Sequence, residues 1–270
     1  MTVEVVHWNP RRPVLKGLIG RLLPFRRPVS NFGDLLGPEI VFRVVKREMP
    51  EVAWESGRGR LLAVGSILSM ARPGDVVWGI GVNGKSLNRQ YSLENVSFRA
   101  VRGPLTRRFV NNHGGVCPAV YGDPGLLVPL LWSEDELTGP KRDVTIIPNL
   151  NDLCLYDLED ERVLLPTAPL EQCLSRIRNS RFVIGSSLHA IIVAEAFGVP
   201  ARLVNSGTEP EFKYRDYYLG SGRAEFHPAA SVEEAIELGG EPPIDWNPQP
   251  LLSSFPFDLW KMKKPTSDCR

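Results

Sequence analysis

The sequence predicts an α/β protein of two lobes, each a parallel sheet covered by helices, and three observations carry that prediction. Short apolar runs alternate with helical patterns along the whole chain. At 270 residues, each half is long enough to bury its own core. A stretch containing acids, Gly and Pro, Ser133–Asp143, separates two such series and reads as a linker. The expected division is residues 1–135, residues 136–250, and a terminal segment, 251–270, packing back on the first lobe.

In the first series Val3–Trp8, Leu61–Gly65, Val76–Ile80, Phe98–Val101 and Ala119–Gly122 read as strands, with Gly33–Arg47 and Pro104–Asn112 as helices between them. In the second, Val144–Pro148, Val163–Leu165, Phe182–Ile184 and Ala201–Val204 read as strands. Pro169–Asn179, Leu188–Phe197 and Val232–Leu238 read as its helices. Phe212–Tyr218 reads as a loop after the last strand, and Leu251–Met262 as an apolar end carrying Phe255, Phe257 and Trp260. Strands alternating with helices imply parallel sheets covered on both faces, and the cleft between two lobes is the expected binding site.

Composition narrows the functional classes. A formal net charge of +1 gives no global field of the kind a nucleic-acid binder uses. The charge is uneven, however: residues 1–60 hold eleven Lys and Arg against six acids. Within them Leu15, Leu18, Ile19, Leu22 and Leu23 share one helical face beside Arg11, Arg12, Lys16, Arg26 and Arg27, a pattern suited either to an anionic membrane interface or to an ordinary packed helix. Cys117, Cys154, Cys173 and Cys269 lie far apart, without metal-site spacing or a disulfide framework. No apolar stretch reaches transmembrane length and no signal-peptide core follows Met1, so a cytoplasmic protein, at most peripheral on the inner face of a membrane, is expected.

The segment from Phe182 to Asn205 is the most informative. An apolar strand runs into Ser186 and Ser187, whose hydroxyls are expected to cap a helix, and His189 falls in that helix's first turn. Open parallel sheets bind ligands at the carboxyl ends of their strands, where free N–H groups attract anions. His189, with Ser186, Ser187 and Leu188 around it, is therefore expected at an anion site.

Gly79–Ser86 satisfies the P-loop pattern G-x-x-x-x-G-K-S letter for letter. A P-loop needs a helix at its end, and Leu87–Asn95 has no apolar face of helical period, so nucleotide hydrolysis is not expected. Gly81, Asn83 and Lys85 stay candidates as cleft lining. Asn31 and Asp34 precede or open a helix, where a carboxylate can cap N–H groups or take a sugar hydroxyl's proton. Arg99 and Arg102 close a strand before a helix start and suit a carboxylate or phosphate. Asp123 ends another strand, and Lys213, Tyr214, Asp216 and Tyr217 mix a cation, an acid and aromatics.

Together the blocks Asn31–Asp34, Gly79–Lys85, Arg99–Pro104, Tyr121–Leu127, Ser186–His189, Ala194–Pro200, Phe212–Tyr218 and Phe255–Trp260 resemble the polysaccharide pyruvyl transferase family, nearest to ketal-pyruvate transferases of xanthan type. The resemblance implies phosphoenolpyruvate as donor and a sugar of a cytoplasmic lipid-linked oligosaccharide as acceptor. It implies a cyclic pyruvate ketal and phosphate as products and a fold similar to two-lobed GT-B glycosyltransferases; the ketal chemistry requires no metal, no clustered ligands suggest one, and no cofactor is expected beyond phosphoenolpyruvate as donor. It further implies donor binding by Arg102 and His189; Ser187 stands where some relatives carry arginine. Ketal formation needs an acid at the methylene carbon, cations on the donor and a base for the hydroxyls. His189 is assigned to the acid or the phosphate, Arg102 and Lys213 to the donor anion, and Asp34 to the acceptor hydroxyl. The alternatives are a GT-B glycosyltransferase using a nucleotide sugar and a non-catalytic carbohydrate-binding protein.

Overall fold

The computed structural model describes residues 2–13, 25–51 and 57–260. In chain order its elements are β1 (Val3–Val6), β2 (Arg11–Pro13), β3 (Arg26–Pro28), α1 (Phe32–Glu48), β4 (Gly59–Leu62), β5 (Val76–Ile80), β6 (Ser97–Val101), α2 (Pro104–Asn112) and the single turn α3 (Val128–Leu131). There follow β7 (Arg142–Ile146), α4 (Leu170–Arg178), β8 (Ser180–Gly185), α5 (Leu188–Ala196), β9 (Ala201–Leu203), α6 (Phe212–Gly220), α7 (Val232–Leu238) and α8 (Gln249–Ser253).

Two parallel sheets result, one in the order β1-β4-β5-β6 and one in the order β7-β8-β9. The strands are short and apolar, and β5 is buried along its whole length, as a strand covered on both faces must be. In α1 the buried residues Phe32, Leu36, Ile40, Val41, Val44 and Val45 recur every three or four positions, singly or as adjacent pairs, which lays one face on the core. That face belongs to the same continuous apolar cluster as Leu174 and Ile177 of α4 and Ile191 and Ile192 of α5. Helices α1, α4 and α5 thus share one core between the two sheets, while Val110 of α2 and Ala235 of α7 pack in separate clusters, and each fully buried Leu or Ile side chain contributes on the order of 1.5–3 kcal/mol.

Several expected elements differ. Ala119–Gly122 and Val163–Leu165 form no strands; each gives a single parallel bridge, Tyr121 to Val101 and Val163 to Ile146. Phe212–Tyr218 is helix α6 rather than loop: Tyr214, Tyr217 and Tyr218 are buried at helical spacing, and their aromatic surface outweighs the polar residues between them. Arg142 and Asp143, expected in the linker, begin β7, and the preceding turn is tied to α4 by Asn179 Nδ2 donating to the Leu137 carbonyl at 2.9 Å. The segment from Leu251 to Trp260 lies against the first sheet: Trp78 Nε1 donates to the Leu251 carbonyl at 2.9 Å, and Gly57 bridges Trp260. The apolar helical face at Leu15–Leu23 lies outside the described residues, but its flanking arginines sit on an exposed antiparallel ribbon, β2 paired with β3. Among the described residues no helix is long and apolar enough to cross a membrane.

The two halves also meet where α6 crosses the start of α2. Asp216 on α6 accepts from the Thr106 backbone N–H at 2.9 Å and from its hydroxyl at 2.6 Å, and its Oδ2 lies 3.6 Å from Arg102 Nε. Arg102 and Asp216 are wholly buried. Backbones approach this closely because Gly103 caps α2, and a methyl group there would overlap the Asp216 carbonyl oxygen. Gly103→Ala should therefore lower stability by roughly 1–3 kcal/mol through overpacking at this crossing. Thermal or urea denaturation will show it, and a variant as stable as the parent would mean that α6 shifts at no cost.

Candidate active site

A cavity of about 270 Å³ opens between the carboxyl ends of the two sheets. Trp8 follows β1, Ser66 and Ile67 follow β4, and Asn83 and Lys85 follow β5; Asn149, Leu150 and Asn151 follow β7, Ser187, Leu188 and His189 follow β8, and Glu209 and Lys213 follow β9. Asn31 and Asp34 reach it from the start of α1. This is the crevice where open parallel sheets place ligands. A larger, mostly apolar hollow of about 570 Å³, between α3 and the chain around Pro242–Pro248, holds two carboxylates, Glu195 and Glu241, both already paired with arginines.

His189 projects from the first turn of α5, and its ring rests against Gly33, where any side chain would overlap it. Nε2 has no hydrogen-bond partner and faces Asp123 Oδ2 at 3.9 Å. Burial, then the nearby charges of Arg102 and Lys213, lower its pKa to about 3, so the imidazole is neutral at neutral pH in the free protein. Asp123 is wholly buried; its Oδ1 accepts from the Gly125 N–H at 2.9 Å, while Oδ2 has no donor. Burial raises its pKa to about 6, against the pull of Arg102 and of that N–H.

Arg102 supplies the fixed charge behind these groups. Nη1 donates to Ser66 Oγ at 3.0 Å, while Nε and Nη2 have no hydrogen-bond partner. Its guanidinium lies directly over Gly81. Buried donors without partners next to a histidine and a lysine form a setting for an anion. Asp34, on the opposite wall, accepts from Asn31 Nδ2 at 2.8 Å, and burial raises its pKa to about 7 despite that bond and the charge of Lys213. A carboxyl group that titrates near neutrality can both take and return a proton.

Lys213, 9 % exposed, comes from α6, and Lys85 from the loop after β5; between them stands Glu209. Its carboxylate pairs with Lys85 Nζ at 2.5 Å and Lys213 Nζ at 3.1 Å and accepts from Asn151 Nδ2 at 3.1 Å. Glu209 was not among the residues singled out from the sequence, and neither were Trp8, Ser66, Asn149 or Asn151. They share no motif, and only the strand ends collect them.

Of the residues expected at the site, Asn31, Asp34, Asn83, Lys85, Ser187, Leu188, His189 and Lys213 line the cavity. Arg102, Asp123 and Gly81 stand behind it. Ser186 and Ser187 do not cap α5 with their hydroxyls: Ser187 makes no side-chain cap bond, and Ser186 Oγ accepts instead from the Asn149 N–H at 2.9 Å, joining the loops after β7 and β8. Tyr214 donates to the Ser186 carbonyl at 2.8 Å and supports that loop from beneath. Asp216 faces Thr106 and Arg102, so it holds the arginine rather than a ligand. Tyr217 donates to Glu195 on α5, and Arg99 pairs with Asp258 at 2.8 Å; neither lines the cavity. The loop Gly79–Ser86 ends in one 3₁₀ turn, with Asn83 Oδ1 accepting from the Lys85 N–H, and no helix follows, so it lacks the phosphate cradle of a P-loop. Among the described residues no group of three His, Cys, Asp or Glu side chains is placed to hold a metal.

A family model described as polysaccharide pyruvyl transferase matches residues 36–208, a span that includes Lys85, Arg102, Asp123 and His189. An uncharacterized protein of Acanthamoeba polyphaga mimivirus is 28% identical over 167 residues, 57% of this chain and 57% of that protein. The chain thus spans little more than half the length of that curated relative. Among solved structures, a functionally uncharacterized protein from Klebsiella pneumoniae superposes with a TM-score of 0.43 at 12% identity, over 74% of this chain and 89% of that one.

The Asp34 carboxyl gives a signed pH test. Unfolded, it loses its proton near the ordinary value of 3.8; folded, near 7. Between these values the folded state binds more protons, so stability falls as pH rises through that window. Asp34→Asn should therefore melt higher than the parent at pH 8 and about equally at pH 4. A melting difference independent of pH would show that Asp34 ionises freely.

Proposed function

The chain belongs to the polysaccharide pyruvyl transferase family, and on that premise we propose that it transfers pyruvate from phosphoenolpyruvate to two hydroxyls of one sugar, forming a cyclic ketal and releasing phosphate. The observation that carries the reading is the set of cations around one histidine: Lys213 and Lys85 line the cavity at the strand ends with His189, and the charge of the buried Arg102 behind it reaches His189. Three cations suit a donor bearing both carboxylate and phosphate.

His189 is neutral in the free protein, and a phosphate bound beside it would raise its affinity for a proton. From there it protonates the methylene carbon as positive charge develops at the neighbouring carbon, and a sugar oxygen bonds to that carbon. The second hydroxyl then displaces phosphate at the same carbon. Of the two hydroxyl protons, one ends on the new methyl group and one on phosphate, and Asp34 passes them on. Arg102, already desolvated and held by Asp216 and Ser66, stabilises the donor's negative charge without reorganising. Metal chemistry has no part in this scheme.

The ribbon supports a membrane setting for the acceptor. Residues 10–30 hold Arg11, Arg12, Lys16, Arg21, Arg26 and Arg27 and no acid. Phe25 beside them is 67% exposed. The ribbon springs from the cavity rim, between Trp8 and Asn31, and is closed at its base by the Ser30 N–H donating to Asn9 Oδ1 at 2.9 Å. An anionic bilayer attracts such a segment by about 1 kcal/mol per basic group near its surface, which would bring the cavity to a lipid-linked sugar.

Two measurements test this. Phosphate release from phosphoenolpyruvate should require a pyranosyl acceptor, and His189→Asn should lower turnover by roughly 10²–10⁴-fold while leaving the melting temperature near the parent's. Consumption of a nucleotide sugar instead would move the protein to the glycosyltransferases. Sedimentation with anionic but not neutral vesicles, weakened by salt, is expected for the ribbon; indifference to both would remove the membrane from the scheme.

A further inference from the structure

We infer that Glu209 is a positioning residue for the donor site: one carboxylate, held in place by Asn151, spaces Lys85 and Lys213 and is the counter-ion they share. The inference rests on the proposed donor site. Its observations do not. Glu209 is a carboxylate with 4 % of its side chain exposed, at the meeting point of three loops. Lys85 arrives from the loop after β5, Asn151 from the loop after β7 and Glu209 from the loop after β9, so the carboxylate joins the two sheets across the cavity.

Its own loop is anchored. The buried Asp152 accepts from Ser206 Oγ at 2.7 Å and from Thr208 Oγ1 at 2.7 Å, and Ser206 Oγ in turn accepts from the Glu209 N–H at 2.9 Å. The loop thereby offers its carboxylate in a single place. An ammonium group has three N–H donors; where one is spent on Glu209, two remain for a ligand. Glu209 therefore orients both lysines without occupying their whole donor capacity.

The charges around Lys213 point the same way. Lys213 faces Glu209 on its own segment, Lys85 and Arg102 from the first half, and His189 and Asp34 across the cavity. Burial, Arg102 and Lys85 all favour loss of its proton, and Glu209 is the carboxylate that opposes them most. The lysines, with the Asn151 hydrogen bond, outweigh burial and hold the Glu209 pKa below its usual range, so the carboxylate is charged at neutral pH. With Glu209 neutralised, Lys213 would face two cations with only the partly ionised Asp34 against them.

The experiment uses the full chain with three replacements: Glu209→Gln, Glu209→Asp, and Glu209→Gln combined with Lys213→Arg. Brief acetylation across a pH series, read by mass spectrometry at Lys213, needs no donor. The labelling midpoint should fall by about one pH unit or more in the Gln variant and stay near the parent's in the Asp variant, which retains the charge. With phosphoenolpyruvate, KM in the Gln variant should rise about tenfold above pH 8 with kcat little changed at pH 6. In the double variant KM should show no rise between pH 6 and pH 8 beyond the parent's, whatever its value at pH 6, because guanidinium does not titrate there. An unchanged Lys213 midpoint in the Gln variant, a fall in the Asp variant equal to that in the Gln variant, or a KM rise that the double variant keeps would each overturn the inference. If the parent turns over no phosphoenolpyruvate, the proposed reaction fails, and the labelling arm still decides the role of Glu209.

Discussion

Everything in the cavity depends on the buried contact between Asp216 and the start of α2. A carboxylate without exposed surface accepts two bonds from Thr106 and lies against an equally buried guanidinium. Such a pair adds little net stability over an apolar substitute, but losing one partner costs about 3–5 kcal/mol, because the other charge is left buried alone. Both partners are therefore needed. Arg102 belongs to the first half and Asp216 to the second, so their pairing ties the two halves together directly behind the cavity.

From that anchor the electrostatics of the site follow in sequence. Arg102 is held where His189 and Asp123 both feel it, which helps to keep the imidazole neutral and offsets the cost of burying Asp123. Lys213 sits one helical turn before Asp216 on α6, so the helix that carries the anchor also carries the second cation. Asp34 lies on the far wall, at the start of α1, and is buried enough to titrate near neutrality. A site of this kind is poised for proton transfer because burial, more than any neighbour, moves the pKa values of His189, Asp34 and Asp123 away from their ordinary values.

Much of this was legible in the residues. The alternation of apolar runs gave the parallel strands, since a covered strand and an amphipathic helix differ in period and length. Ser-Ser-Leu-His after an apolar strand pointed to His189, and Asn-Phe-Gly-Asp to Asp34, because both blocks lie at strand-to-helix turns. What could not be read was long-range pairing. Asp216 looked like a ligand-binding acid, but its partner Thr106 is 110 positions away. Glu209, in an unremarkable Thr-Glu-Pro turn, matters only through Lys85, 124 positions earlier in the chain. The tyrosines of α6 hid a helix, because a face made of aromatic and charged side chains has no clear apolar period. Ser186 was read as a cap when its hydroxyl serves a neighbouring loop, a choice that local sequence does not encode.

Gly33 and Gly103 lie in the first half of the chain, and each occupies the space a side chain would need to displace a residue of the second half: the His189 ring in one case, the Asp216 backbone in the other. The halves are thus keyed to one another by missing atoms. A chimaera that takes its first half from a distant relative would keep both sheets, yet it would retain the site only if the incoming half left the same two gaps. Exchange of halves, the route by which two-part enzymes can acquire new acceptors, is closed here to partners that have not inherited both.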